Sequence, residues 1–181
     1  MNFWMIKVAK CGSSSFCRMF PPQATRMEGR PGLEKTRSHL TLSEVYRKCH
    51  RANVEVPFTF AFTRNPWDRA VSGWQYTCGK FPTMSLLHYL RTPNKRSRHI
   101  IRPITDYIFH GPKTVDFLGR FENFEADAKK VCEMLGYPDI EILHSNKRAD
   151  QRNYRGFYNP EARNIVAKRY ARDIQHGKYT F

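Results

Sequence analysis

The chain is expected to be an α/β protein of three layers, a central and mostly parallel sheet flanked by helices on both faces. Three observations carry this expectation. The apolar runs FWMIKVA at 3–9 and PFTFAFT at 57–63 each lead through a tight turn into a segment of helical periodicity, and a third run, TVDFL at 114–118, precedes another such segment. Strands that alternate with helices favour parallel pairing, because a parallel neighbour needs a crossover and a helix is the usual one.

Each element has a local reason. After the first run come Lys10-Cys11-Gly12-Ser13-Ser14-Ser15, and then Phe16, Met19 and Phe20 recur at helical spacing. Residues 21–38 are rich in proline, glycine and charge without periodicity and are expected to be a loop. Thr41 and Glu44 have the spacing of a capping box, which predicts a helix from about Leu42 to Arg51. The run at 57–63 is aromatic and β-branched, as a buried strand requires. Asn65 then stands as an N-cap and Pro66 as a first helical residue that needs no N–H, with Trp67, Ala70, Val71 and Trp74 as an apolar stripe. Residues 91–102, RTPNKRSRHIIR, read as a basic surface stretch, and ITDYIF after it has no clear type. Phe124, Ala128, Val131 and Leu135 predict a helix over 122–135 that ends at Gly136. A last helix is expected from Pro160 to His176, capped by Asn159, stopped by Gly177 and packed through Ile165, Val166, Tyr170 and Ile174.

The 181 residues suit one domain, expected over 1–181 with no linker. Thirty-one Lys and Arg against sixteen Asp and Glu give a net charge of +15, which favours an anionic ligand without saying which. Nucleic acid is not expected, because the chain has no RNA-recognition, zinc-finger or helix-turn-helix signature. The five cysteines are scattered with no C-x-x-C pair, which argues against zinc and redox sites and for a reducing compartment. MNFWMI is too short for a signal region, and no run approaches the ~20 apolar residues of a membrane span. A cytoplasmic chain without a membrane span is the expectation.

Two segments carry chemistry. A small-residue turn between strand and helix at Lys10–Ser15 can cradle a phosphate: Gly12 permits close approach, the serines offer hydroxyls, and Lys10 adds a full charge. The alternative is a serine-rich turn that only caps its own helix. The lysine precedes the glycine, so the GxxxxGK[ST] spacing of nucleotide triphosphatases is not met and a kinase is disfavoured. Arg64 follows the second strand, where open α/β sheets place ligands. Either Arg64 and Ser72 converge on one anion, or Arg64 pairs with Asp68 and Ser72 merely packs.

KCGSSS, FTFAFTRNPWDRAVSGW, VDFLGRFENFEAD, HSNKR and YRGFYNPEARNIVAKRYARDI, in this order and over nearly the whole chain, make the sequence resemble the sulfotransferases that use 3'-phosphoadenosine 5'-phosphosulfate (PAPS). It is most similar to the carbohydrate branch that includes heparan sulfate 2-O-sulfotransferase. The resemblance implies a P-loop-like sulfotransferase fold. It implies a first loop of Lys10, Cys11, Gly12, Ser13, Ser14 and Ser15 at the 5'-phosphosulfate, although Ala9 and Cys11 stand where proline and threonine are usual. It further assigns Arg64 and Ser72 to the 3'-phosphate. Lys10 would stabilise the departing phosphate and His39 would be the base, with His50 and Glu55 behind it. Arg120 and Glu122 would lie near the adenine or form a buried ion pair. Asn146, Lys147, Arg148 and Tyr154 would belong to a loop over the cofactor, or to a solvated basic loop. The products are a sulfated acceptor and 3',5'-phosphoadenosine, with no metal needed. The acceptor, a hydroxyl or amine, is not readable; a carbohydrate, including an acidic glycan, is one option, and the run from Arg91 to Arg102 could recruit it or be simply solvated. Rival readings are a non-catalytic polyanion or nucleic-acid binder on the same fold, and a nucleotide kinase.

Overall fold

The computed structural model describes residues 2–19, 39–79, 84–92, 98–142 and 153–181. Its contacts divide the chain into two units, one of Met1–Thr63 and Asp106–Lys147, the other of Arg64–Thr105 and Arg148–Phe181. The fold is α/β, with a mostly parallel central sheet flanked by helices.

The first unit holds the sheet. Strands β1 (Phe3–Met5), β2 (Phe58–Thr63) and β5 (Phe117–Arg120) pair in the order β1-β2-β5, all parallel. Five of the six β2 residues are buried, so both faces of the strand are covered. On one face Phe16 of α1 (Ser13–Met19) meets Phe60 and Phe62 at ring distances of 5.0 and 5.6 Å, and Phe124 of α7 (Phe124–Met134) meets Phe62 at 5.0 Å. Each such ring buried contributes about 1.5–3 kcal/mol. Helix α2 (Leu42–Arg51) starts with the expected capping box: Glu44 N donates to Thr41 Oγ1 at 3.2 Å, and Thr41 N to Glu44 Oε2 at 2.8 Å. A small antiparallel hairpin, β3 (Phe109–His110) with β4 (Lys113–Thr114), packs against α2.

Two strands differ from expectation. β1 is shorter than 3–9. Ile6 N still bonds Phe60 O at 2.8 Å, but the Lys7 carbonyl accepts from His39 Nδ1 at 2.8 Å and the Val8 carbonyl from Ser13 Oγ at 3.3 Å. Of the two, only the Val8 carbonyl would face β2 in a longer strand, and Ser13 takes it, so the ladder ends. The third strand runs from 117 to 120 rather than 114 to 118. The Asp116 carboxylate accepts from Thr59 N and Oγ1 at 2.7 and 2.8 Å, which pins the entry to the sheet one residue before Phe117, while Thr114 belongs to the hairpin. The helix expected from 122 begins as a 3₁₀ turn, Phe121–Asn123, and becomes α7 at Phe124.

The second unit is helical: α3 (Pro66–Cys78), α4 (Leu86–Arg91), α5 (Arg98–Ile101), α8 (Pro160–Arg169) and α9 (Ala171–Gly177). The caps at Asn65 and Asn159 form, accepting from Trp67 N at 3.0 Å and Ala162 N at 2.8 Å. The stripe of Trp67, Ala70, Val71 and Trp74 packs with Leu86, Tyr89, Leu90, Ala162, Val166 and Tyr170. Arg69 is buried inside this unit, where it donates to the Arg102 carbonyl at 2.9 Å. Of the basic run 91–102, residues 93–97 lie outside the described residues, and Ile100 is buried. ITDYIF divides into a short helix, α6 (Thr105–Ile108), and β3.

The single C-terminal helix expected over 160–176 is two. Tyr170, at φ −112° and ψ 28°, breaks it, and its hydroxyl donates to Ile101 O at 2.8 Å. Beyond the break the buried Asp173 carboxylate accepts from Ile104 N, Thr105 N and Thr105 Oγ1 at 2.8–2.9 Å. The stop is not Gly177, the last residue of α9, but Lys178, which takes the left-handed conformation at φ 50°. Asp173→Ala leaves three buried donors without an acceptor and is expected to lower stability by about 3 kcal/mol or more, read as the shift of the urea unfolding midpoint; an unchanged midpoint refutes this account of the break.

Candidate active site

Parallel pairing puts the carboxyl ends of β1, β2 and β5 on one edge of the sheet. The first end leads to the turn at 9–12, the second runs from Thr63 straight into Arg64, and the third is Arg120 itself, paired in register with Thr63. Three of the basic residues expected at the site, Lys10, Arg64 and Arg120, therefore lie at or just beyond these three ends.

The turn after β1 is built on two residues with positive φ, Lys10 at 66° and Gly12 at 84°. A lysine in that region carries strain of about 1 kcal/mol or more, which the surrounding bonds must hold in place. Gly12 is required twice over. Its φ disfavours any side chain, and an added Cβ would stand 2.7 Å from Phe124 Cε2 and 3.2 Å from Phe121 Cδ2. The turn thus lies against the aromatic start of α7. Of the residues expected to bind here, Cys11 is buried and can offer only its backbone N–H. Ser13 is buried and its hydroxyl donates to Val8 O, and Ser15 is buried as well. Ser14 is the exposed hydroxyl of the three.

His39 is tied to the same segment. A carbonyl can only accept, so the 2.8 Å contact with Lys7 O puts a proton on His39 Nδ1, and in the neutral ring the lone pair is then on Nε2. The bond joins His39, two residues before the α2 cap, to Lys7 just past β1, three residues from Lys10. His50 is exposed on α2, and Glu55 after it is exposed as well.

Arg64 donates from Nε to Asp68 Oδ2 at 2.8 Å, with side chains 13% and 28% exposed. The pairing left open by the sequence is formed, and it orients the guanidinium by one edge. Ser72 is half-buried on α3, one turn beyond Asp68. Tyr154, in a 3₁₀ turn over Tyr154–Phe157, accepts from Asn65 Nδ2 at 3.3 Å, so the structure brings it to the residue next to Arg64. Asn146, Lys147 and Arg148 lie outside the described residues. Arg120 and Glu122 are both exposed, which rules out a buried ion pair between them.

Sequence reasoning missed Asp127. Its carboxylate, buried in the first turn of α7, accepts from the Arg120 amide at 2.8 Å and from Asn123 Nδ2 at 3.1 Å, fixing the end of β5. The acid one helical turn beyond Asn123 is the signal that could have found it. Also unforeseen is a cavity of about 440 Å³ in the helical unit, lined by Trp67, Arg155, Tyr158, Arg163 and Phe181 among others. Arg163 Cζ lies 4.3 Å from the centre of the Phe181 ring, and the Tyr158 hydroxyl, donating to Trp67 O at 2.8 Å, has its pKa pushed up by burial.

Gly12→Ala is expected to cost about 1–3 kcal/mol through strain and overpacking and to distort the turn. Urea unfolding and the backbone amide shifts of residues 9–15 read the two effects; a variant with native stability and shifts would show that the turn tolerates a Cβ.

Comparison with known proteins bears on the fold and the family. An uncharacterised protein of Archaeoglobus fulgidus is 32% identical over 98 residues, 53% of this chain and 81% of that protein. The crystal structure of a sulfotransferase from Alicyclobacillus acidocaldarius superposes with a TM-score of 0.56 at 18% identity, covering 96% of this chain and 92% of that one, and so shares the fold. A family model described as the sulfotransferase family matches residues 2–180, through both units. A match of that extent makes this chain a member of the sulfotransferase family.

Proposed function

We propose that the chain acts over 1–181 as one sulfotransferase domain that moves the sulfonyl group of PAPS to a hydroxyl or amine of an acceptor. The reading rests on one observation above the others: the parallel strands set the turn of Lys10 and the end of β5 at Arg120 along one edge of the sheet, and Arg64 follows β2 directly in sequence, in a chain that matches the sulfotransferase family throughout. Lys10 with the Gly12 turn and the Ser14 hydroxyl takes the 5'-phosphosulfate. Arg64, oriented through Nε by Asp68, takes the 3'-phosphate with Ser72. Arg120 serves the adenine end, and Tyr154 with Asn146, Lys147 and Arg148 covers the nucleotide.

In the transfer the acceptor oxygen attacks sulfur, and the bond from sulfur to the 5'-phosphate oxygen breaks. The acceptor proton goes to His39 Nε2, and 3',5'-phosphoadenosine leaves with its new charge stabilised by Lys10. No metal takes part. The bond from His39 Nδ1 to Lys7 O supports the role of base, because it holds the ring in the tautomer that can receive a proton at Nε2. The acceptor class proposed is a carbohydrate hydroxyl, and the compartment the cytoplasm; among the described residues no helix is long and apolar enough to cross a membrane.

Transfer of radiolabelled sulfate from PAPS to a panel of acceptors tests the reading, with binding of 3',5'-phosphoadenosine measured in parallel. His39→Ala is expected to bind nucleotide normally and to lose roughly 10²–10⁴-fold in transfer. Lys10→Ala is expected to lose on the order of 10²-fold or more. Arg64→Ala should lose nucleotide affinity itself. Undiminished transfer in Lys10→Ala or His39→Ala defeats the role given to that residue. Nucleotide binding untouched in Arg64→Ala, or erased from the wild type by moderate salt, defeats the reading as a whole.

A further inference from the structure

Residues 180 and 181 of the helical unit are fixed by polar and ring contacts more than by burial. Tyr179 enters the core, but Thr180 beyond it is exposed and Phe181 only half-buried. Both are nevertheless held at the start of α3. The Asn65 carboxamide faces two ways. Its Oδ1 caps the helix by accepting from Trp67 N, which turns Nδ2 outward to donate to Thr180 O at 2.8 Å and to the Tyr154 hydroxyl at 3.3 Å. The two N–H hydrogens of one amide thus find acceptors on two segments far from α3 in sequence.

Phe181 completes the join. Its ring meets those of Trp67, Tyr154 and Tyr158 edge to face, at 5.6, 5.9 and 5.4 Å. Arg163 Cζ lies 4.3 Å and Arg155 Cζ 5.8 Å from its centre, and Arg155 Nη2 donates to Phe181 O at 3.0 Å. One side chain therefore touches α3, the 154–157 turn and α8. The join stands beside two residues given to the nucleotide. Arg64, which takes the 3'-phosphate, is the residue before Asn65, and Asp68 in the first turn of α3 aims its guanidinium. Tyr154, which covers the nucleotide, is the residue to which Asn65 donates. The contacts of Asn65, Thr180 and Phe181 thus fix the spacing between the grip on the 3'-phosphate and the turn that closes over it, which neither α3 nor that turn sets alone.

We propose that Asn65, Thr180 and Phe181 form a clasp that pre-sets the 3'-phosphate end of the nucleotide site, with Asn65 and Phe181 as positioning residues that act through Arg64 and Tyr154. The proposal rests on the sulfotransferase reading and on Arg64 as the 3'-phosphate residue. A clasp that is closed before the nucleotide arrives spares binding the cost of ordering Arg64 against the 154–157 turn. Opening it weakens the bisphosphate more than a nucleotide that has no 3'-phosphate for Arg64 to hold.

Calorimetric titration with 3',5'-phosphoadenosine and with adenosine 5'-monophosphate tests the clasp, at a temperature where urea unfolding shows each variant folded. Asn65→Ser keeps an N-cap and adds no charge, but its short side chain cannot reach Thr180 O or Tyr154. Phe181→Leu keeps an apolar group and removes the ring. Each is expected to weaken the bisphosphate by about three- to tenfold and the monophosphate less. Phe181→Tyr should restore wild-type affinity, since the cavity that the ring lines has room for a hydroxyl. The double variant Asn65→Ser/Phe181→Leu should bind no more weakly than the weaker single variant, because both changes open one clasp. Wild-type affinity in both single variants, additive losses in the double, or equal losses for the two nucleotides overturns the clasp; a lowered urea midpoint with wild-type affinity overturns it too, by assigning these contacts to stability alone. Where Arg64→Ala loses the bisphosphate and the clasp variants do not, the sulfotransferase reading stands without the clasp; a wild type that does not bind 3',5'-phosphoadenosine removes both.

Discussion

The pairing of β1 and β5 in parallel on either side of β2 is the constraint from which the rest of the sheet-bearing unit follows. A parallel strand buried on both faces is filled mostly with apolar side chains, and Phe60, Ala61 and Phe62 at the centre of β2 have no chemistry to offer. Polar function is therefore displaced to the ends of the strands. Because all three run the same way, their carboxyl ends share one edge, and whatever the following turns carry is presented together. The aromatic rings of Phe16, Phe62 and Phe124 that close this core also form the wall against which the Gly12 turn is pressed, so packing and site geometry are one problem here.

The end of β1 shows how the turn is held. Two carbonyls just past the strand are taken by side chains: Lys7 O, on the outer edge, by His39, and Val8 O, which a longer strand would have given to β2, by Ser13. The first bond selects the imidazole tautomer and the second stitches the start of α1 back to the strand. Asp127 does the same at the far strand, where its carboxylate accepts the Arg120 amide. Backbone groups that the ladder leaves unpaired are thus the means by which the functional turns are fixed in position.

Features whose partners are near in sequence were legible from the chain alone. The capping box of Thr41 and Glu44, the Asn65 and Asn159 caps with their prolines, and the apolar stripe of α3 all depend on neighbours within a turn or two. The pairing of Arg64 with Asp68 could be posed as one of two outcomes for the same reason. What escaped depends on distant partners. The start of β5 is decided by Asp116 meeting Thr59, and the break at Tyr170 accompanies a bond from Tyr170 itself to Ile101 and bonds from Ile104 and Thr105 to Asp173 just beyond it. In the candidate site the residue types at the strand ends came from pattern, and their roles came from the resemblance. Which serines of the first turn face outward did not follow from either, since burial of Ser13 and Ser15 is a property of the folded turn.

The division of the chain into two interleaved units bears on how such a protein comes off the ribosome. The polypeptide passes from one unit to the other three times. When β2 has just been made, its only available neighbour is β1; the whole of 64–105 must emerge before β5 exists to cover its other side. Until then the most deeply buried strand among the described residues has an open edge, the kind of surface that invites association between nascent chains. Neither unit is a contiguous stretch that could be cut out and made alone, so the order of synthesis, and not a boundary between modules, governs how this sheet is completed.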